Sequence, residues 1–251
     1  MSIKEDNNKN RIAILIAAYN EEEHIKVVIK GCLKYHLDII VVDDGSTDST
    51  VKKIRSVPPP KDCKIAMIRH RINKGKGKAL RTGFFYTIKK NYSGIITLDA
   101  DGQHDTEEIK DFLEMIEKEN PDLIIGNRMA DTRSMPFIRL ATNIITSWII
   151  SVISHRKISD VQSGFRYIRT DVLKNIKLET GNFDTEPEII MKSSWSGYNI
   201  INMPVKTIYH KNFTSYVNPV TDTIKFFRLV FNSFRWKKEI YKKIRKNSFN
   251  H

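Results

Sequence analysis

The sequence predicts an α/β fold: an open, mostly parallel sheet flanked by helices. Two observations carry this. Up to Arg128, short and nearly continuous apolar runs alternate with segments of helical periodicity. The runs also end in carboxylates and small polar residues. A parallel strand covered on both faces reads as an unbroken apolar run, and such sheets bind ligands beyond the carboxyl ends of their strands.

The elements follow in order. "RIAILIAAYN" is a first buried strand opening into a loop, and "EEEHIKVVIKGCLKY" a helix with acidic residues in its first turn. "LDIIVVDDGSTDST" is a second strand running into a turn and a helix start. "KIAMIRH" is a third strand, "KGKALRTGFFYTIKK" a helix and "SGIITLDADGQ" a fourth strand. "EEIKDFLEMIEKE" is a helix and "PDLIIGNR" a fifth strand. Beyond Arg128 the alternation breaks. "RSMPFIRLATNIITSWIISVISHRK" reads as an apolar helix, "SDVQSGFRYIRTDVL" as a loop and helix start, and "EPEIIMKSSWSGYN" as a helix. "INMPVKTIYH" reads as a late strand, placed at an edge because Pro204 lacks a ladder donor. Residues 1–218 form one expected domain and 219–251 a basic amphipathic helical extension.

Composition narrows the function. The chain has 251 residues and a formal net charge of +13, which favours anionic partners such as nucleic acid, anionic lipid or phosphorylated ligands. From Asp222 to His251 there are nine Lys or Arg against two acidic residues. No nucleic-acid-binding motif accompanies that charge, so nucleic acid is not an expected partner. Cys32 and Cys63 lack metal-ligand spacing and fit a reduced cytosolic setting. The N-terminal "MSIKEDNNKNR" does not read as a signal peptide. The uncharged stretch Leu140 to Ser154 is 15 residues, short of the roughly 20 that span a bilayer, so no span is predicted.

Three motifs bear chemistry. In "DADGQ", Asp99 and Asp101 lie on one side of an extended backbone, and Gln103 adds a neutral oxygen at the next alternate position. Paired carboxylates repel unless a cation lies between them, and all-oxygen ligation suits Mg²⁺ or Mn²⁺. In "VVDDGSTDST", Asp43 and Asp44 follow buried residues, where a ribose or base can be hydrogen-bonded. Both stretches also read, taken alone, as ordinary strand-to-turn boundaries. In "NKGKGKALRTG", amides at a helix start and Lys76 or Lys78 can receive a diphosphate. Neither a Walker A loop nor GxGxxG is present.

The order "AAYNEE", "VVDDGSTDST", "NKGKGKA", "LDADGQH", "GNR", "DVQSGFR" resembles glycosyltransferase family 2 enzymes of the GT-A fold. The resemblance is strongest to the polyprenyl-phosphate, dolichol-phosphate mannose synthase-like branch, and covers about Arg11 to Tyr209. It implies a Rossmann-like sheet and a UDP- or GDP-sugar donor beside Ala17, Tyr19, Glu21, Asp43 or Asp44, Lys78, Asp99 and Ala100. Ala17 stands where the family often has proline. Asp101 and Gln103 resemble metal ligands, with Asp99 serving metal or nucleotide. Arg128 resembles the arginine contacting diphosphate or acceptor phosphate. Asp160, Gln162, Ser163 and Arg166 resemble the acceptor-side motif, so the implied catalytic set is Asp101, Arg128, Asp160 and Arg166. By the same resemblance, His210 or Lys211 reaches the donor phosphates, with His210 also a candidate for the metal shell.

The implied reaction is inverting transfer, with metal and basic residues stabilising the departing diphosphate. A polyprenyl phosphate acceptor needs no strong base. A saccharide or protein hydroxyl does, and Asp160, Asp184 and Glu186 are the candidates. A lipid acceptor implies a peripheral position on the cytoplasmic side of a membrane. "PFIRLATNIITSWIISVI", with Trp148, and the tail with Phe227, Leu229, Phe231, Phe234 and Trp236 among basic residues suit an anionic membrane surface. A core helix with a solvated tail, a membrane-protein partner or a homo-oligomer are the other readings of these segments.

Overall fold

The computed structural model describes residues 11–133, 135–181, 184–208 and 219–248. Its strands are β1 (Ile12–Ala18), β2 (Asp38–Asp43), β3 (Ile65–Arg69), β4 (Gly94–Asp99), β5 (Leu123–Asn127), β6 (Arg166–Arg169) and β7 (Ile200–Pro204). They form one sheet in the order β3-β2-β1-β4-β6-β5-β7. The pairs β1–β2, β1–β4, β2–β3 and β5–β7 are parallel, and β6 runs antiparallel between β4 and β5.

The helices are α1 (Ile25–Leu33), α2 (Thr50–Arg55), α3 (Lys76–Lys89), α4 (Ile109–Glu119), α5 (Phe137–Ser154), α6 (Thr170–Asn175), α7 (Thr185–Trp195) and α8 (Pro219–Ser248). Side-chain alternation along β1 divides them into two layers. Ala13 and Leu15 pack in the cluster that takes Leu80 and Phe84 of α3, Ile190 of α7 and Trp236 of α8. Ile14 and Ile16 face the opposite layer, with Ile25 and Ile29 of α1, Ile54 of α2 and Phe112 of α4. The helix α1 shows how the pattern works: its buried residues Ile25, Val28, Ile29, Cys32 and Leu33 fall on one helical face. Both cysteines are free and buried.

The five alternating strands and the edge position of β7 match the sequence reading. The strand β6 corrects it: "RYIR" lies in the sheet, where a loop and helix start were expected. Four residues carrying two arginines give no apolar run, so periodicity could not find it. Arg166 is tolerated there because its guanidinium donates to three main-chain carbonyls, of Ser163, Val161 and Glu186, at 2.7, 2.6 and 2.9 Å.

The helix α5 is, by length and composition, long and apolar enough to cross a membrane, where the sequence reading expected no span. It packs against α7. Its polar residues Asn143, Ser147 and Ser154 are buried, while Phe137, Ile138, Ile144, Ile145, Trp148 and Val152 are exposed. The helix therefore docks through Ile150 and a polar seam, and leaves most of its large apolar residues outside. In α8, Leu229, Ser233 and Trp236 turn inward. Lys192 of α7 lies 4.3 Å from the centre of the Trp236 ring, and Arg235 bonds Glu179 at 2.5 Å. Leu229 and Trp236 thus belong to the core and not to an exposed apolar face. Phe227, Phe231 and Phe234 remain outside.

Candidate functional site

Parallel pairing sets the site. Register places Ala17 opposite Asp99 and Ala18 opposite Asp43, so β1, β2 and β4 deliver their last residues to one end of the sheet. Loop-to-loop bonds then knit two of the motifs together. Asn20 N–H donates to Ser46 Oγ at 3.0 Å, Thr47 N–H to Asn20 Oδ1 at 2.9 Å, and Glu21 N–H to Thr50 Oγ1 at 2.8 Å. The short polar side chains of "GSTDST" therefore hold the turn that carries Tyr19 and Glu21.

Asp43 and Asp44 have separate positions. Asp43 is buried and accepts from Arg69 Nε at 3.1 Å and from Ser46 N–H at 3.3 Å. Asp44 is also buried; it accepts from the amides of Lys74 and Gly75, the closest at 2.7 Å, and lies 2.6 Å from His70 Nδ1. Asp44 thereby anchors the Gly-Lys loop in front of α3, and its oxygens are engaged within the protein. Lys78, the expected donor-binding lysine, is exposed, with its stem beside Gly181. Lys76 instead points into the carboxylates.

At the end of β4, Asp99 Oδ1 lies 2.6 Å from Lys76 Nζ, which also meets Glu186 Oε1 at 3.1 Å. His104 Nε2 is 3.4 Å from Asp99 Oδ2, a charge-pair distance and not a well-formed hydrogen bond. Burial opposes charge on Asp99, but Lys76 and His104 outweigh it and hold the carboxyl well below its usual range. Ala100 is buried behind it. Asp101 accepts from Gln103 N–H at 3.0 Å, which folds "DADGQ" into a tight turn. Gln103 Oε1 accepts from Arg139 Nη1 of α5 at 3.2 Å, so this side chain does not stay in line with the two carboxylates. Among the described residues, no three His, Cys, Asp or Glu side chains converge closely enough to hold a metal by themselves.

The donor set nevertheless fits a hard divalent cation. Burial, then the negative charges of Asp101 and Asp99, push Glu21 up to about 7. Asp101 and Asp99 would supply the oxygen ligands, completed from a bound diphosphate and water.

On the other side, Asp160 receives Arg128 Nε at 2.7 Å, Arg128 Nη2 at 2.9 Å and Asn143 Nδ2 at 2.7 Å. Burial works against the Asp160 charge, yet Arg128 overrides it and lowers its pKa. Ser147 extends the network by bonding Asn143 Oδ1 and the amide of Val161, both at 3.0 Å. The polar seam of α5 is thus part of the site. Arg166 is enclosed beneath, and burial lowers its pKa. Its contacts suit positioning of the "SDVQSGFR" loop more than contact with a reactant. His210 and Lys211 lie outside the described residues.

Sequence reasoning missed His104, Asn143 and Arg139 as site residues. Arg139 had a readable signal: it is the one charge in the 18 residues of α5.

Residues 13–177 match the family model Glycosyl transferase family 2. The UDP-N-acetylglucosamine–dolichyl-phosphate N-acetylglucosaminyltransferase of Methanococcus voltae is 30% identical, over 79% of this chain and 86% of that one. The polyprenol monophosphomannose synthase of Mycolicibacterium smegmatis is 27% identical, over 78% and 76%. Among solved structures, glucosyl-3-phosphoglycerate synthase from Mycobacterium tuberculosis, complexed with Mn²⁺, UDP and phosphoglyceric acid, aligns with a TM-score of 0.67 at 15% identity, over 91% of this chain and 78% of that one. The fold is therefore GT-A. With well over half of its length matched and relatives named as polyprenyl-phosphate glycosyltransferases, the chain belongs to glycosyl transferase family 2 and is a nucleotide-sugar-dependent glycosyltransferase.

Proposed function

We propose that this enzyme transfers a sugar, with inversion, from a UDP- or GDP-sugar to a polyprenyl phosphate at the cytoplasmic surface of a membrane, using Mg²⁺ or Mn²⁺. The observation that carries the reading is the bond from Arg139 to Gln103. It ties the carboxylate turn, where a donor diphosphate would meet metal, to the helix with the exposed apolar face. A lipid phosphate approaching along α5 would arrive beside "DADGQ".

Each residue then has a task. Tyr19, Glu21 and Asp43 line the nucleotide end, with Ala17 giving room beside Asp99. Asp101 and Asp99 hold the cation, which when bound neutralises charge on the departing diphosphate. Arg128, oriented by Asp160, faces a phosphate of donor or acceptor. An acceptor phosphate is already anionic at neutral pH, so no residue has to remove a proton from it. The relatives named above support this acceptor, since one is named for dolichyl phosphate and another for polyprenol monophosphate. A structural neighbour that holds Mn²⁺ and UDP supports the metal and donor class.

The rival reading, transfer to a saccharide or protein hydroxyl, needs a base. Two of its candidates are poorly suited: Asp160 is held ionised by Arg128, and Glu186 is paired with Lys76. The phosphate acceptor is therefore favoured. The test is incubation of purified protein with Mg²⁺ or Mn²⁺, a panel of UDP- and GDP-sugars and a short polyprenyl phosphate in detergent, with Asp101→Ala as control. Lipid-linked sugar from one donor, absent in the variant, is expected. Donor turnover with no lipid product would move the assignment to a hydroxyl acceptor.

A further inference from the structure

The first carboxylate of "DAD" already has a cation. Lys76 is the first residue of α3, placed there by Gly75, whose φ of 92° an L-residue rarely adopts. Its ammonium lies 2.6 Å from Asp99 Oδ1 and 3.1 Å from Glu186 Oε1. Burial opposes the charge, but Asp99 and Glu186 outweigh that and raise the lysine above its usual range. Gly164 closes another side of the Asp99 carboxylate: a Cβ there would lie 2.4 Å from Oδ2. Glu186 is itself buried, and its Oε2 has no hydrogen-bond partner.

An ammonium and a divalent cation compete for the same carboxylate oxygen. A half-buried carboxylate left with neither is still costly. We propose that Lys76 is a resident cation that competes with the divalent metal for Asp99, and that Glu186 is the positioning residue that shares the ammonium and eases its release. Glu186 matters because it offers Lys76 a second carboxylate when Asp99 turns to the metal. Metal uptake by the empty enzyme is then weak, and a bound nucleotide diphosphate, an added anion that both cations can neutralise, strengthens it.

This rests on the metal-dependent reading above, and one experiment separates the two. Mn²⁺ binding is measured directly from the electron paramagnetic resonance signal of the free ion, with and without UDP or GDP. The proteins are the full chain, Lys76→Met, Lys76→Arg, Glu186→Gln and Asp101→Ala. Without nucleotide, Lys76→Met is expected to bind Mn²⁺ about five- to tenfold more tightly. Glu186→Gln is expected to bind it more weakly by a similar factor, because Lys76 then has only Asp99. Lys76→Arg keeps the charge and should not tighten binding. A structural lysine predicts no such opposite signs. Unchanged or weakened Mn²⁺ binding in Lys76→Met, with Asp101→Ala still losing it, overturns the competition while sparing the metal site. Tighter binding in Glu186→Gln overturns the sharing role, and that variant keeps volume and shape if Lys76→Met does not fold. No Mn²⁺ bound by any protein, even with nucleotide, overturns both readings.

Discussion

Arg128 and Asp160 form a buried two-pronged pair, with Nε to Oδ2 at 2.7 Å and Nη2 to Oδ1 at 2.9 Å; the Arg128 amide adds a third bond at 3.1 Å. The pair joins the end of β5 to the loop before β6, and Asn143 attaches α5 to it. Removing one partner strands a buried charge. Asp160→Ala is therefore expected to destabilise the protein by about 3–5 kcal/mol, read from urea unfolding. Asp160→Asn keeps the shape but removes the charge and one acceptor oxygen, so it should cost nearly as much. A clearly smaller loss in Asp160→Asn would show that the charge is not what the pair contributes.

Gly164 and Asp99 meet across the sheet end with no spare room. A Cβ on Gly164 would lie 2.4 and 2.6 Å from the two carboxylate oxygens. Since Thr97 Oγ1 bonds the Gly164 carbonyl at 2.8 Å, the backbone there is held and the carboxylate must move. Gly164→Ala is expected to lower transferase activity about a hundredfold, the scale of a 1 Å misplacement. Thermal unfolding should change little by comparison. Activity near wild type would mean that the position of Asp99 tolerates displacement.

Much of this was legible in the sequence because parallel strands ending in carboxylates have few places to put them. The strands from β1 to β5 announced themselves as apolar runs, and "DAD", "VVDDGS" and "GNR" fell at their ends. What stayed hidden depended on pairing between distant segments. Nothing local distinguishes Asp43 from Asp44, yet one bonds Arg69 while the other anchors the loop of Lys74 and Gly75. The four residues of β6 enter the sheet because neighbouring strands and three carbonyls accept them, not because they look like a strand. Trp236 read as an interfacial aromatic, and only its burial in the layer that holds Ile190 and Leu229 makes it core.

Glu21 gives a pH dependence with a definite sign. Burial and the charges of Asp101 and Asp99 raise it from 4.5 to about 7 in the folded protein. The folded state thus binds this proton more tightly than the unfolded chain. Its stabilising contribution is full below about 4.5 and is lost as pH rises through about 7. Glu21→Gln removes the penalty of ionisation, so it should stabilise the metal-free protein at pH 8 by up to about 3 kcal/mol. At pH 4 it should change little. Unfolding curves at the two pH values test this, and a variant equally stable or weaker at both would refute it.

The exposed faces of α5 and α8 predict binding to anionic membranes. Trp148 is 67% exposed and Phe231 74% exposed. Side chains this exposed contribute little to the fold, but each is worth about 1.5–3 kcal/mol when fully buried in an apolar phase. The basic residues of α8, among them Lys237, Lys238, Lys242 and Lys243, add attraction to anionic headgroups that salt screens. Flotation with vesicles containing phosphatidylglycerol should therefore carry the protein upward at low salt. Recovery should fall as salt rises. Trp148→Asp and Phe231→Asp should each weaken partition about tenfold, corresponding to about 1.4 kcal/mol, while leaving thermal stability near wild type because neither side chain is packed. Loss in Phe231→Asp alone would assign the membrane contact to α8 and leave α5 as a surface for a protein partner. Binding that survives both substitutions would remove the apolar faces from the membrane contact altogether.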